Sequence, residues 1–444
     1  MGLGSFGGGL GAARFLVNAG ARVTVTDLRQ PEQLTDGLKG LEGLDVQLIL
    51  GEHRLSDFEN ADIVVANPAV APDNEFVLAA RKSGALIRSE VGLFLERCSA
   101  RVVAITGTQG KSSTASMLAQ LLERSGFSVQ LGGNIGGSLL NNLDSMTADD
   151  ICVLELSSYQ LEALAGAARS QQDKLAGRVE VVAITNILCD HLERHGTRAL
   201  YRQAKLHILE LLDEQGQAFM PSELAVELGA NPAQCNFIRV GSSEELHIAS
   251  GDFYLGATHL GSVSDFPLPG AFQLDNALIA LGAAKQLGAA PERLREALAT
   301  LKGLPHRLQD QGQIRGHRIW DNGVSTTPDS TASALHSMNE SCVLLCGGRY
   351  KSSLPLDVMI DAARGRVECV VTFGVDATTL SAAFQSADIP TRITTTLAEA
   401  VTTAFEVAGP TDALLFSPAC ASFDAYSNFH ERALEFNELI QSSK

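Results

Sequence analysis

The chain lacks a paired cysteine motif. Its eight cysteines (98, 152, 189, 235, 342, 346, 369 and 420) are scattered, with no CxxC pair. Only Cys342 and Cys346 are close, on an apolar run that reads as a strand. A disulfide scaffold is therefore excluded, and all eight read as reduced, mostly buried thiols of a cytosolic protein. The chain also lacks an apolar run near the ~20 residues that span a bilayer. Its first residues, MGLGSFGGGLGAARF, have no basic stretch leading into an apolar one, so no secretory signal is expected. Phe6 stands where a myristoylation site needs Ser or Thr. Positive charge is scarce too: 34 Lys and Arg face 51 Asp and Glu, a net charge of −17. Such a field repels phosphate and excludes a general binder of nucleic acid or anionic membrane, while a small anionic substrate can still be held by local groups. With 45% hydrophobic and 19% charged residues, and ordinary Gly and Pro, disordered and collagen-like classes are excluded. No fixed-period repeat is visible.

Short apolar runs alternate with helical patterns over 444 residues. Examples are 21–27, 45–50, 61–67, 85–89, 101–106, 151–156, 179–185, 342–348, 367–374 and 412–418. Several are apolar at nearly every position, as in parallel strands buried on both faces. The fold class expected is α/β with parallel sheets. Three sheet-based domains are expected in series: a Rossmann-like nucleotide-binding domain over 1–97, a P-loop ATPase-like domain over 98–303, and a second Rossmann-like domain over 304–444. The stretch 212–268, rich in Gly/Ser turns, reads as a small antiparallel excursion.

The strongest chemical signal is Val102-Val103-Ala104-Ile105-Thr106-Gly107-Thr108-Gln109-Gly110-Lys111-Ser112-Ser113. A buried strand enters a Gly-rich turn, and Lys-Ser opens an amphipathic helix. Gly107 and Gly110 let backbone N–H groups approach a phosphate, Lys111 reaches the β/γ-phosphates, and Ser112 or Ser113 can ligate Mg²⁺. It is a compressed form of the P-loop, since Ile105 stands five residues before Gly110. A turn that merely caps a helix is the plainer alternative, and it leaves the Lys-Ser pair unexplained.

A second Gly-rich turn, Gly2 to Gly7, fits GxGxxG with no strand ahead of it, so its sheet is expected to lack that strand or to begin upstream. Asp27 ends the next strand at a spacing suited to a ribose or base contact. Glu155, in Leu154-Glu155-Leu156-Ser157-Ser158, can hold Mg²⁺. Asp190 and His191 follow another buried strand, at the end where open α/β sheets bind ligands. The plain readings are a helix cap for Asp190-His191, a surface charge for Lys351, a turn residue for Ser422, core for Trp320, and structural or solvated roles for His195 and His430.

Together, GTQGKSS, LELSSYQL, TNILCDHLERHG and YRQAK resemble the Mur ligase family of ATP-dependent amide ligases. LPHR (304–307), GGRYK (347–351) and SPACASFDAYSNFHER (417–432) resemble its members that add glutamate to UDP-N-acetylmuramoyl-L-alanine. The resemblance spans essentially the whole chain. It implies ATP and two Mg²⁺ ions. Gly107, Thr108, Gln109, Gly110, Lys111, Ser112 and Ser113 would cradle the phosphates. Ser112 and Glu155 would hold one Mg²⁺; His191 and Lys205, carried as a carbamate, would hold the other. Lys205 gains this role from the resemblance alone. Asn276 and Arg307 would contact ATP. Gly4, Ser5, Asp27 and Arg29 would hold the UDP portion, Asn134 the muramoyl-alanine, and Thr326, Lys351, Ser422 and Phe429 the glutamate. The enzyme would act as a cytoplasmic monomer through an acyl phosphate, its third domain swinging about 303–307.

Departures are local. Asp321-Asn322-Gly323-Val324-Ser325-Thr326 replaces the family's NDSKAT, so Val324 stands for Lys and Asn322 for the ribose-contacting Asp, with Asp321 beside it to serve instead. Phe272 and Gln273 replace a His-Asn pair, and Asn67-Pro68-Ala69 replaces SPG. These positions bear on specificity, including D- against L-glutamate. A folylpolyglutamate-synthase-like ligase would share the P-loop but not the SPACASFD run. An NAD oxidoreductase using Gly2–Gly7 would leave the P-loop idle, and a non-catalytic relative would bind ATP without turnover.

Overall fold

The computed structural model describes the chain except residues 5–6, 166–174, 229–235, 242, 244 and 444. Ser5 and Cys235 thus lie outside the described residues. The chain forms two compact units, Met1–Phe266 with Asn276–Thr300, and Pro267–Asp275 with Leu301–Lys444. The regions expected as the first two domains share one unit and one core, where Ala12, Val91 and Phe94 pack with Val102, Leu139 and Leu154.

The first unit is built on nine strands: β5 (Arg101–Thr106), β6 (Val129–Gly133), β7 (Ile151–Glu155), β8 (Val179–Ile184), β9 (Leu212–Pro221), β10 (Asn236–Val240), β11 (Leu246–Ala249), β12 (Asp252–Leu255) and β13 (Thr258–Ser262). Their order is β13-β12-β11-β10-β9-β8-β5-β7-β6. β5 runs at the interior, parallel to β7 and β8. Its residues Val103, Ala104 and Ile105 are fully buried, the outcome expected of a strand covered on both faces. Helix Lys111–Arg124 lays Ala115, Leu118, Leu121 and Leu122 on this sheet. The antiparallel excursion is shorter than expected. β9, β10 and β11 extend the parallel sheet, and only the β11–β12 and β12–β13 pairings are antiparallel.

Ahead of this sheet lie two parallel pairs, β1 (Val23–Asp27) with β2 (Val46–Leu50), and β3 (Ile63–Val65) with β4 (Leu86–Arg88). Met1 and Gly2 lie between the pairs. Gly2 N donates to Thr26 O (2.7 Å), the terminal amine to Val65 O (2.9 Å), and Asn67 N to Met1 O (3.0 Å).

The second unit carries a six-stranded sheet in the order β14-β15-β19-β16-β17-β18. The strands are β14 (Gln309–Ile314), β15 (His317–Asp321), β16 (Cys342–Gly347), β17 (Val367–Phe373), β18 (Thr391–Ile393) and β19 (Ala413–Ala419). All neighbours are parallel except β14 and β15. Apolar clusters cover both faces. On one of them Phe416 and Phe436 stack at 4.2 Å. Trp320 is buried and its indole donates to Glu340 (2.8 Å). Among the described residues all cysteines are free, and no helix is long and apolar enough to cross a membrane.

Candidate active site

In the first unit the chemistry-bearing residues converge at the C-terminal ends of adjacent strands. The turn 107–110 follows β5, Glu155 ends β7, Asn134 follows β6, and Asp190-His191 follow β8. Open parallel sheets bind ligands at this edge.

The turn is held from behind. Gly107 has φ +153° and Gly110 φ +81°. A Cβ on Gly107 would run into Thr185 Oγ1, and one on Gly110 into Asn276 Oδ1. Asn186 Oδ1 accepts from Thr108 N (3.2 Å) and Gln109 N (3.0 Å), while its amide donates to Gln109 O (3.2 Å). Thr108 Oγ1 meets Tyr201 OH at 3.0 Å. Thr185, Asn186 and Tyr201 were not singled out from sequence. The Thr-Asn pair just past a buried strand was the available signal. Lys111 Nζ folds onto Thr108 O (2.9 Å), and Thr114 Oγ1 donates to Asn276 Oδ1 (3.3 Å). Ser112 and Ser113 are buried in the first turn of the helix.

Glu155 is 1% exposed. Asn134 Nδ2 donates to its Oε1 (3.1 Å), but its buried Oε2 has no partner. A buried carboxylate oxygen without a donor is costly unless a cation completes it, so the site fits Mg²⁺. Lys205 is 2% exposed and donates to Gly107 O (2.6 Å). Burial, then the Lys111 charge, push its amine well below the ordinary lysine range, against the pull of Asp190 and Glu155. The neutral form of an amine is the one that adds CO₂, and burial moves Lys205 toward that form, which fits a carbamate. His191 is half-exposed with φ +82°, its Nδ1 3.1 Å from Glu193 Oε1 and its Nε2 3.4 Å from Asp190 Oδ2. Among the described residues no three His, Cys, Asp or Glu side chains make a metal centre by themselves. Hydroxyls, nucleotide or a modified lysine must complete any coordination.

Asp27 Oδ2 accepts from Leu3 N (2.9 Å), which ties it to the first Gly-rich turn. Burial alone would raise the Asp27 carboxyl, but hydrogen bonds and charge from Arg29 outweigh it and hold the group below the usual carboxylate range. Gly4 has φ +72° in the same turn. Glu90, which was not picked out from sequence, opens helix Glu90–Leu95 and accepts from Ser138 Oγ at 2.5 Å. Burial pushes its carboxyl up to about 7, against that hydroxyl. His195 is buried against Ser158 Oγ (3.1 Å), as the structural reading expected.

In the second unit Thr326, Lys351 and Ser422 follow β15, β16 and β19, three strands that lie side by side. Phe429 opens helix Phe429–Ser442, and Arg307 lies just ahead of β14. Asp321, expected to serve a nucleotide ribose, is turned inward. It is 0% exposed and accepts from Asn437 Nδ2 (3.1 Å) and Gly323 N (2.9 Å), with His306 Nδ1 2.7 Å away. His306 Nε2 lies 3.1 Å from His430 Nδ1, so both histidines have partners.

Comparison with known proteins sets this geometry in a family. The Mur ligase middle domain matches residues 105–284, and the N-terminal domain of MurD-like Mur ligases matches residues 1–89. The UDP-N-acetylmuramoylalanine–D-glutamate ligase of Roseiflexus sp. (strain RS-1) is 34% identical over 464 residues, covering 100% of this chain and 97% of its own. The chain belongs to the Mur ligase family. The like-named ligase of Geobacter metallireducens is 32% identical over 98% of this chain and 95% of its own. Among solved structures, the UDP-N-acetylmuramate-alanine ligase MurC of Thermotoga maritima aligns with TM-score 0.62 at 20% identity, over 99% of this chain and 98% of that one. A pseudomurein peptide ligase of Methanothermus fervidus aligns with TM-score 0.61 at 18% identity, over 99% and 98%. The mixed α/β fold with parallel-dominated sheets is thus the Mur ligase fold.

Proposed function

We propose that this chain is an ATP-dependent ligase joining D-glutamate to the L-alanine carboxylate of UDP-N-acetylmuramoyl-L-alanine, a step of peptidoglycan precursor synthesis. The observation that carries the reading is the full-length likeness to D-glutamate ligases, together with a P-loop, a buried Glu155 and a buried Lys205 at one sheet edge.

The chemistry asks little covalent work of the protein. The alanine carboxylate attacks the γ-phosphorus of ATP, the P–O bond to ADP breaks, and an acyl phosphate forms. The glutamate amine then attacks the acyl carbon, phosphate leaves, and the amine's proton passes to solvent. Gly107 to Ser113 line the phosphates, and Lys111 neutralises charge on the transferred group. Mg²⁺ supplies Lewis-acid stabilisation of the phosphoryl oxygens. One ion is assigned to Ser112 and Glu155 and a second to His191 and carbamylated Lys205. Asn134 orients the muramoyl-alanine. Gly4, Ser5, Asp27 and Arg29 hold the UDP portion, and Asn276 and Arg307 the nucleotide. Asp321 is left out of the nucleotide contacts because its carboxylate is spent inside its own unit. Thr326, Lys351, Ser422 and Phe429 receive glutamate. One copy supplies every residue named, so a monomer suffices. Dependence on ATP and a UDP-linked substrate supports a cytoplasmic enzyme.

The test is phosphate release from ATP and Mg²⁺ with UDP-N-acetylmuramoyl-L-alanine, adding D-glutamate, L-glutamate or neither. Release dependent on D-glutamate is expected. Release with L-glutamate alone would overturn the stereochemistry and point to a pocket remodelled around Val324. No release with either would overturn the ligase reading.

A further inference from the structure

Arg432 lies in the first turn of helix Phe429–Ser442 and is 0% exposed. A buried guanidinium is ordinarily paired with a carboxylate. This one bonds carbonyls instead. Its Nη1 donates to Gly347 O (3.2 Å), its Nη2 to Cys420 O (3.0 Å), and its buried Nε has no partner. Among the described residues no carboxylate lies within ion-pair distance of it. Burial lowers its pKa to about 10, against the pull of Cys420, Asp424 and Tyr426. It remains a cation at physiological pH.

The two carbonyls belong to the loops that leave β16 and β19 at the ligand-binding edge of the sheet. The loops are also stitched to each other. Arg349 and Ala421 exchange backbone bonds, each 2.9 Å. Gly348 is needed at the junction, because a Cβ there would sit 2.9 Å from Arg432 Nη1 and run into Ala421 O. Lys351 lies two residues past the first half of this stitch and Ser422 one residue past the second. An unneutralised buried cation is expensive, and an incoming anion would offset part of that cost.

We propose that Arg432 is the positioning residue of the amino-acid subsite: it clasps the loops 347–351 and 419–422, and its unpaired charge favours an acceptor whose side chain is itself a carboxylate. The inference rests on the reading that this unit receives glutamate.

The test compares wild type with Arg432→Met, which keeps length and loses charge, and Arg432→Lys, which keeps charge and loses the two-carbonyl fork. Steady-state phosphate release is measured with D-glutamate and with D-glutamine, its neutral isostere. For Arg432→Met the KM for D-glutamate is expected to rise about tenfold or more, the loss of charge-assisted hydrogen bonds that hold both loops being worth about that. The KM values for ATP and the UDP substrate should stay within about twofold, since among the described residues Arg432 bonds only Gly347 O and Cys420 O and shares no partner with the residues assigned to those substrates. Preference for D-glutamate over D-glutamine should fall with Arg432→Met and recover in part with Arg432→Lys. All three KM values rising together with a lowered melting temperature, or an unchanged preference, would overturn the proposal. Should Arg432→Met fail to fold, Gly348→Ala spreads the clasp with the charge retained; an unchanged D-glutamate KM in that variant would equally overturn it. If wild type shows no glutamate-dependent release, the ligase reading fails on its own. Thermal protection of wild type and Arg432→Lys by D-glutamate, compared with D-glutamine, then decides the Arg432 assignment separately.

Discussion

Glu90→Gln is expected to stabilise this protein by an amount that grows as pH rises from about 4.5 to about 7 and then levels off. Glu90 accepts from Ser138 and, among the described residues, meets no charged partner. On the helices packed against its own, Arg14 donates to Gly40 O, Glu162 pairs with Arg194 and Tyr159 OH donates to Glu193 Oε1. Burial raises the carboxyl from its ordinary 4.5 to about 7. Below the unfolded value the group is neutral in both states and contributes nothing. As pH rises from 4.5 through 7 the unfolded chain releases the proton while the native state keeps it, so stability is lost. Above about 7 the loss is complete. The difference between the two values corresponds to about 2–3 kcal/mol after a discount for the part of the side chain that water reaches. Gln keeps an oxygen for Ser138 and carries no charge. Its melting temperature should match wild type near pH 4 and exceed it by roughly 5 °C at pH 8, at the few degrees per kcal/mol usual for domains of this size. Thermal melts from pH 4 to pH 9 in unit steps read this directly. A gap that does not change with pH, or a variant less stable than wild type at pH 8, would refute burial as the cause.

Lys205→Ala should abolish most phosphate release, with partial recovery on adding short carboxylates, because a carboxylate can stand where the carbamate oxygens would; unchanged activity would end the assignment. Lys351→Ala should raise the glutamate KM more than the ATP KM, and equal effects would remove Lys351 from the amino-acid subsite. Gly110→Ala forces an L-residue into φ +81° and against Asn276. With a conformational cost of about 1–2 kcal/mol before the clash, the ATP KM should rise about tenfold or more, while the melting temperature falls by only a few degrees. Nucleotide binding unchanged in that variant would show that the turn tolerates the contact.

The parts of the fold legible in the sequence were those where burial leaves a compositional trace. β5, β7, β8, β16, β17 and β19 are runs with almost no polar residue, so their place inside parallel sheets could be read off. β6, β9 and β14 could not. VQLGG is broken by glycines, LDEQGQAFMP is polar for half its length, and QDQGQI is a polar edge strand paired on one side. Their strand character comes from neighbours, which local composition does not record. The same limit divides the sites. The P-loop announces itself because its chemistry is local. Asn186 bonds the turn from 77 residues away, and Glu90 meets Ser138 across 48. Arg432 reads as an exposed helical arginine until its carbonyl partners are seen. Asp321 looked available because it adjoins Asn322; His306 and Asn437, remote in sequence, take up its carboxylate.

The interior place of β5 has a consequence for how the polypeptide is made. Its two flanking strands lie far downstream, Arg101 pairing with Ile151 and Val103 with Val181. At about 5–20 residues per second, a ribosome takes roughly 4–16 s to deliver the second flank after the first strand has emerged. Throughout that interval an apolar strand with at least one edge open is exposed to other nascent chains, the condition under which strands pair wrongly. The delay also governs the phosphate-binding turn. Gln109 waits 77 residues for Asn186 and Gly107 waits 98 for Lys205. The phosphate-binding turn is therefore translated well before it acquires its shape.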